Sequence, residues 1–179
     1  MGRAKQLLLL GEKPVIRRCI DTLLEGGIDR LAVVVSDCGS GFSGHLAGLP
    51  LTVAVNDNPA SDMAESVRIG LRHLKPGSAV LVSLCDHPLV TVETIKALLH
   101  EHRLHPRDII IPAYKGRRGH PTLFPESVIG EIFTGITLRD IVRKDPDRVR
   151  IVSVHDKGAI LDMDTPADYE AIRKLDAAK

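Results

Sequence analysis

The side chains best suited to chemistry stand where apolar runs end in a carboxylate. In Val80-Leu81-Val82-Ser83-Leu84-Cys85-Asp86-His87-Pro88-Leu89, a hydrophobic stretch leads straight into Asp86, and Pro88 turns the chain away. A strand ending there sets the carboxylate at the carboxyl edge of a sheet. Such an aspartate either bonds its own backbone in a turn or binds Mg²⁺, a hard cation that takes carboxylate oxygens and keeps other positions for water and phosphate. The second point is Leu161-Asp162-Met163-Asp164-Thr165-Pro166, where Asp164 directly precedes a helix start. Asp164 either complements the helix dipole or shares one metal with Asp86.

Two basic pieces accompany these acids. Gly116-Arg117-Arg118-Gly119-His120-Pro121 places two arginines between glycines. Guanidinium forks bind phosphate or carboxylate bidentately; the plainer alternative is a solvated hairpin turn. Lys5 lies in Met1-Gly2-Arg3-Ala4-Lys5, just ahead of Leu7-Leu8-Leu9-Leu10. Taken alone it reads as a snorkelling lysine on apolar surface.

Two further patterns carry less. Gly39-Ser40-Gly41-Phe42-Ser43-Gly44 fits GxGxxG after a strand, but only His45 to Pro50 separate it from the next one. That is too short for a crossover helix of about ten residues or more, so a dinucleotide fingerprint is set aside. His100, His102 and His105 are spaced by two and three, which does not gather them on one helical face. They read as surface histidines at a helix end.

Alternating elements must position these residues. Val15, Ile16, Cys19, Ile20, Leu23 and Leu24 form one helical face over 15–24, ended by Gly26-Gly27. Leu31 to Val35 and Leu51 to Val55 are apolar, β-branched runs of the kind buried on both faces of a parallel sheet. Ser61 to Leu74 reads as a helix, Ala79 to Leu84 as a strand, and Thr91 to His102 as a helix capped by Thr91. Strands follow at Asp108 to Pro112, Thr122 to Phe124, Val149 to Val154 and Ala159 to Leu161, with helical pieces near 126–133 and 137–144. Thr165 caps a last helix, with Pro166 at its first position and Asp168 three residues after the cap; Tyr169, Ile172 and Leu175 are its buried side. The alternation implies one α/β domain over 1–179, with a mostly parallel sheet whose sites lie at the carboxyl ends of its strands.

Composition narrows the classes. The 179 residues carry a net charge of +1 and no basic block, with no Trp, two Tyr and three Phe. A nucleic-acid surface needs a basic stripe and stacking rings, so that class is excluded. Cys19, Cys38 and Cys85 are scattered and odd in number, as expected of a reducing compartment. The four leucines at 7–10 are too short for a membrane span or a signal h-region. The cytoplasm is expected, without a membrane partner.

In this order and spacing the four pieces resemble the MobA-like nucleotidyltransferases, and most closely their molybdenum cofactor cytidylyltransferase (MocA-like) branch. That family opens with a strand and the loop L-A-A-G-x-S-x-R-M-G-x-x-K, and Met1 to Lys5 resembles the loop's tail. Asn56 and Met63 to Leu71 resemble N-P…G-M-S-S-S-L-R-x-G-L. Cys85 to Val90 resembles x-D-Q-P-L-V, with His87 in place of Gln. Gly116 to Phe124 matches G-R-R-G-H-P-x-L-F, and Leu161 to Tyr169 matches L-D-I-D-T-P-E-D-Y. Asp62 and Glu65 depart from the pattern by adding negative charge where the family has Gly and Ser.

The resemblance implies a Rossmann-like nucleotidyltransferase fold, the three-layer sandwich of the nucleotide-diphospho-sugar transferase type. It also implies a chain N-terminally truncated relative to the family, without the first strand and the LAAGxSxR loop. A start codon assigned too late is the expected cause. The implied reaction joins CMP from CTP to the phosphate of molybdopterin or molybdenum cofactor, with Mg²⁺, releasing pyrophosphate. By the same resemblance Lys5 neutralises phosphate charge, and Asp86 and Asp164 hold the metal. Asn56, Ser66 and Arg68 face the nucleotide, while Arg117, Arg118 and His120 face the acceptor. A molybdoenzyme of the xanthine dehydrogenase type is the implied protein partner. GTP instead of CTP, another phosphorylated acceptor, and a non-catalytic accessory protein that binds molybdenum cofactor remain as rival readings.

Overall fold

The computed structural model describes residues 5–36 and 41–177. The chain enters through a 3₁₀ turn at Lys5–Leu7 and a short antiparallel pair, β1 (Leu9–Leu10) and β2 (Lys13–Pro14). Helix α1 (Val15–Glu25) buries Val15, Ile16 and Ile20. It ends on Gly26, where a Cβ would meet Ile95 at 2.5 Å, so only glycine lets α1 lie against the neighbouring helix. Strands β3 (Leu31–Ser36) and β4 (Leu51–Asn56) pair in parallel, from Leu31 with Leu51 to Ser36 with Asn56. Between them α2 (Ser43–Leu46) has four residues, too short for a dinucleotide helix, as the sequence spacing implied.

Helix α3 (Met63–Leu71) starts later than its apolar pattern suggested, because Asp62 accepts from the Glu65 N–H and sets the N-cap there. Strand β5 (Val80–Val82) leads to Asp86, and α4 (Val92–Leu104) is capped by Thr91 as expected. Strand β6 (Ile109–Tyr114) turns through Lys115 and Gly116, both at positive φ, into β7 (Arg117–Arg118). Strand β8 (Thr122–Phe124) then runs antiparallel between β5 and β6. The α/β architecture is therefore as expected, but the sheet is mixed, since a strand returning through a tight turn must run antiparallel to the one before it.

Short helices α5 (Glu126–Ile129) and α6 (Leu138–Lys144) cover Ile109, Ile111 and Phe124 on one side. Strand β9 (Val149–Ser153) pairs in parallel with β6. The expected strand at 159–161 is instead a 3₁₀ turn, Lys157–Ile160, because Asp156 accepts from the Gly158 N–H and closes the backbone. Helix α7 (Pro166–Ala177) buries Ile172 and half-buries Tyr169, but Leu175 is exposed. It docks on α1 through the bidentate pair of Arg18 with Asp176 (2.7 and 2.6 Å).

Among the described residues β3 pairs only with β4, and β5 only with β8. Between their free edges lies a cavity of about 380 Å³, with Ile16 and Ile20 of α1 and Val67, Gly70 and Leu71 of α3 also on its walls. Among the described residues no helix is long and apolar enough to cross a membrane.

Candidate active site

The carboxyl end of β5 is where the distant acids meet. The apolar run Val80 to Cys85 carries Asp86 to the sheet edge, and Met163, buried against Leu10, Val15 and Leu89, carries Asp164 to the same place. Lys5 bridges them, its Nζ donating to Asp164 Oδ1 at 2.7 Å and to Asp86 Oδ2 at 3.3 Å. Residues separated by 81 and 159 positions thus share one ammonium. Burial works against the charged lysine, but the hydrogen bond to Asp164 and the charge of Asp86 outweigh it and hold Lys5 above the ordinary lysine value.

The Gly-Arg-Arg-Gly-His loop reaches this edge through its histidine. The His120 and His87 rings lie 5.0 Å apart at 49°, and His87 Nε2 stands 3.8 Å from Asp86 Oδ1. Burial, then the neighbouring His87, lowers the His120 pKa, while Asp86 and Asp162 pull the other way. Two glycines permit this approach. A Cβ at Gly119 would lie 2.1 Å from the Ala159 oxygen, and one at Gly158 would lie 2.2 Å from the Leu89 oxygen. The His120 N–H donates to Ala159 O, which locks the loop to the turn. Arg117 and Arg118 stand exposed on β7 and make no ion pair among the described residues. The structure brings His120, but neither arginine, into contact with the surroundings of Asp86.

On the nucleotide side expected from the sequence, Asn56 ends β4 and donates from Nδ2 to the hydroxyls of Ser61 (2.8 Å) and Ser66 (2.9 Å). Arg68 is engaged within the fold, donating to Glu65 Oε2 at 2.8 Å and to the Ile132 carbonyl at 3.1 Å. The two acidic departures are thereby accounted for, since Asp62 caps α3 and Glu65 pairs with Arg68.

One organising residue carried no motif in the sequence. Asp156, buried, accepts from the Thr91 N–H at 2.8 Å, the Thr94 hydroxyl at 2.7 Å and the Gly158 N–H at 2.8 Å. It ties the start of α4 to the Lys157–Ile160 turn. The only hint was an aspartate two residues before a glycine, an ordinary turn signal.

The donors present fit a divalent cation. Asp86 Oδ1 is buried and has no hydrogen-bond partner, and a carboxylate oxygen in that state is costly unless a cation takes it up. Asp86 and Asp164 offer two hard oxygens at an open edge, as a hydrated ion that also binds phosphate prefers. Among the described residues no group of three or more His, Cys, Asp or Glu is placed to cage a metal. Any ion here would therefore draw its remaining ligands from water and substrate.

Over residues 1–149 the sequence matches the MobA-like NTP transferase domain. The chain belongs to that family. As a MobA-like protein it is placed among nucleotidyltransferases, and solved structures agree with the fold. Rv0371c from Mycobacterium tuberculosis H37Rv superposes with a TM-score of 0.85 at 25% identity, over 97% of this chain and 90% of that one. The same protein, solved as a complex with manganese, superposes at 0.82. A nucleotidyl transferase from Methanothermobacter thermautotroptrophicus shares the fold at a TM-score of 0.81 and 20% identity, over 97% of this chain and 85% of that one. Nicotine blue oxidoreductase of Paenarthrobacter nicotinovorans is 25% identical over 177 residues, 92% of this chain and 86% of its own length.

Proposed function

We propose that this MobA-like protein transfers CMP from CTP to the phosphate of molybdopterin or molybdenum cofactor, in the cytoplasm and with Mg²⁺. The observation that carries the proposal is the meeting of Lys5, Asp86 and Asp164 at one sheet edge, beside the His120 loop. An acceptor phosphate oxygen forms a bond to the α-phosphorus of CTP, and the bond from that phosphorus to the β-phosphate oxygen breaks, releasing pyrophosphate. Such transfers depend on positioning and charge neutralisation more than on covalent help. Lys5 neutralises phosphate charge, and Asp86 and Asp164 are the residues that would hold Mg²⁺. When bound, the ion polarises the phosphoryl oxygens. Asn56 and Ser66 lie on the nucleotide side, with Arg68 fixing α3 there. Arg117, Arg118 and His120 receive the acceptor, which a molybdoenzyme of the xanthine dehydrogenase type would then use.

Calorimetric titration of CTP with Mg²⁺, with GTP as comparison, tests the nucleotide; pyrophosphate release on adding molybdopterin tests the acceptor. Tighter GTP binding would overturn the choice of base, and no nucleotide binding would favour a non-catalytic carrier. The Paenarthrobacter relative supports a second reading, redox chemistry on a small organic substrate in the same cleft. Spectrophotometric turnover of a reduced nicotinamide with a dye acceptor, absent with CTP chemistry, would establish it instead.

A further inference from the structure

Two carboxylates and one ammonium share the sheet edge, and the ammonium is the loosely held member. Asp86 follows Cys85, which packs in one apolar cluster with Leu89, and Asp86 Oδ1 is itself buried. Asp164 follows the buried Met163, and its N–H donates to Asp168 Oδ2 at 3.3 Å. Both acids are therefore held by segments that pack independently of Lys5. Lys5 lies in a 3₁₀ turn without a fully buried residue, and its ammonium rides on a flexible four-carbon stem. Among the described residues Nζ has these two carboxylates and no third acceptor.

That ammonium stands 2.7 Å from Asp164 Oδ1 and 3.3 Å from Asp86 Oδ2, between the acids, where a bridging cation belongs. Mg²⁺ holds oxygen ligands at about 2.0–2.1 Å, so an ion touching those same two oxygens would meet Nζ. Two cations so close repel each other strongly. Asp86 Oδ1, buried and without a donor, is left free by Lys5. It offers an ion a foothold on Asp86 but no bridge to Asp164.

We propose that Lys5 and a divalent cation exclude each other on the Asp86–Asp164 pair, and that a nucleotide triphosphate relieves the exclusion by taking the Lys5 ammonium. The chain thus carries its own stand-in for the ion while no nucleotide is bound. A lysine displaced by the ion alone exchanges two charge-assisted hydrogen bonds for water. Displaced beside a triphosphate, it exchanges carboxylate oxygens for phosphate oxygens and keeps its charge paired. Ion and nucleotide then bind cooperatively, each raising the other's affinity by the same factor. No covalent bond changes in this exchange. The proposal rests on the reading of Asp86 and Asp164 as the ion-holding pair and adds what controls the filling of that site.

Binding of Mn²⁺ alone, followed by the paramagnetic resonance of the free ion, tests the exclusion without nucleotide. Lys5→Met is expected to bind Mn²⁺ at least about tenfold more tightly than the parent, although it binds CTP with Mg²⁺ less well. Equal Mn²⁺ affinity in the two chains overturns the exclusion and leaves the ion-holding pair standing. A difference that vanishes in about 0.5 M KCl is long-range repulsion, which salt screens, and overturns it too. No Mn²⁺ binding by Lys5→Met overturns the assignment of Asp86 and Asp164, and the exclusion with it. Acetylation of Lys5 by acetic anhydride in the parent, quantified by mass spectrometry, keeps the test independent of how the variant folds. Saturating Mn²⁺ alone is expected to speed this reaction severalfold, and Mn²⁺ with CTP to slow it again. An unchanged rate with Mn²⁺ bound means that the ammonium stays between the carboxylates, and the proposal fails. The measurements with Mn²⁺ alone involve no nucleotide, so their failure is distinct from a failure to bind CTP.

Discussion

Lys5, Asp86 and Asp164 are coupled through one ammonium, and each affects the charge of the edge in a different sense. Asp86→Asn removes a carboxylate that Lys5 holds through Oδ2 and whose buried Oδ1 has no hydrogen-bond partner, while Lys5→Met leaves both carboxylates without their cation. Interactions of charged groups contribute about 1.5–3 kcal/mol, so either change should weaken Mg²⁺-dependent CTP binding by roughly ten- to a hundredfold, read by calorimetry. His120 makes a separate prediction. Burial lowers its pKa in the folded chain, so the unfolded chain takes up the proton first, near its ordinary value of about 6.5. Its contribution to stability is therefore full above that pH and is lost as pH falls toward the folded value. Urea midpoints from pH 7 to 5 should fall less steeply in His120→Gln than in the parent.

Helix starts and turns place these residues, and they do so through single polar side chains. Asp156 satisfies four donors from two elements, so Asp156→Ala leaves buried N–H and hydroxyl groups unpaired. The change should cost about 3 kcal/mol, from hydrogen bonds to a charged acceptor, measured by denaturant unfolding. It should also release the Lys157–Ile160 turn against which His120 is locked. At α6, Thr137 and Asp140 form a reciprocal capping box. Thr137→Ala should cost about 1 kcal/mol. Asp140 is held below the usual carboxylate range by the Thr137 hydroxyl and N–H, so its capping stabilises the fold above that range and fades as the solution is acidified through it. The Thr137→Ala variant should accordingly show a shallower acid slope.

At the scale of the whole molecule, α7 packs on the start of the chain and on the segment that follows Asp86. Ile172, buried among Leu10, Val15, Leu89 and Met163, fastens that helix, with help from Arg18 and Asp176. Ile172→Ala should destabilise the protein by about 2–5 kcal/mol. Because Asp164 sits directly before α7, the variant should also lose affinity for CTP with Mg²⁺ while Asp86 stays in place. Circular dichroism melts and calorimetry on one preparation separate the two effects.

Much of this was legible in residue order. Apolar β-branched runs mark β3, β5 and β6 because a strand covered on both faces has no polar positions, whereas β4, expected to be buried in the same way, leaves Val53 and Val55 exposed. Thr91 and Thr165 announce α4 and α7, since a cap acts within three residues of itself; Asp86 and Asp164 are visible as carboxylates at strand–helix junctions for the same local reason. What residue order could not settle depends on contacts between distant segments. The antiparallel course of β8, the role of Asp156, the engagement of Arg68 by Glu65 and the exposure of Leu175 all arise from which elements lie side by side. Only the folded chain shows that one lysine reaches both carboxylates. Local pattern dictates local conformation, but pairing edges and shared charges are properties of packing.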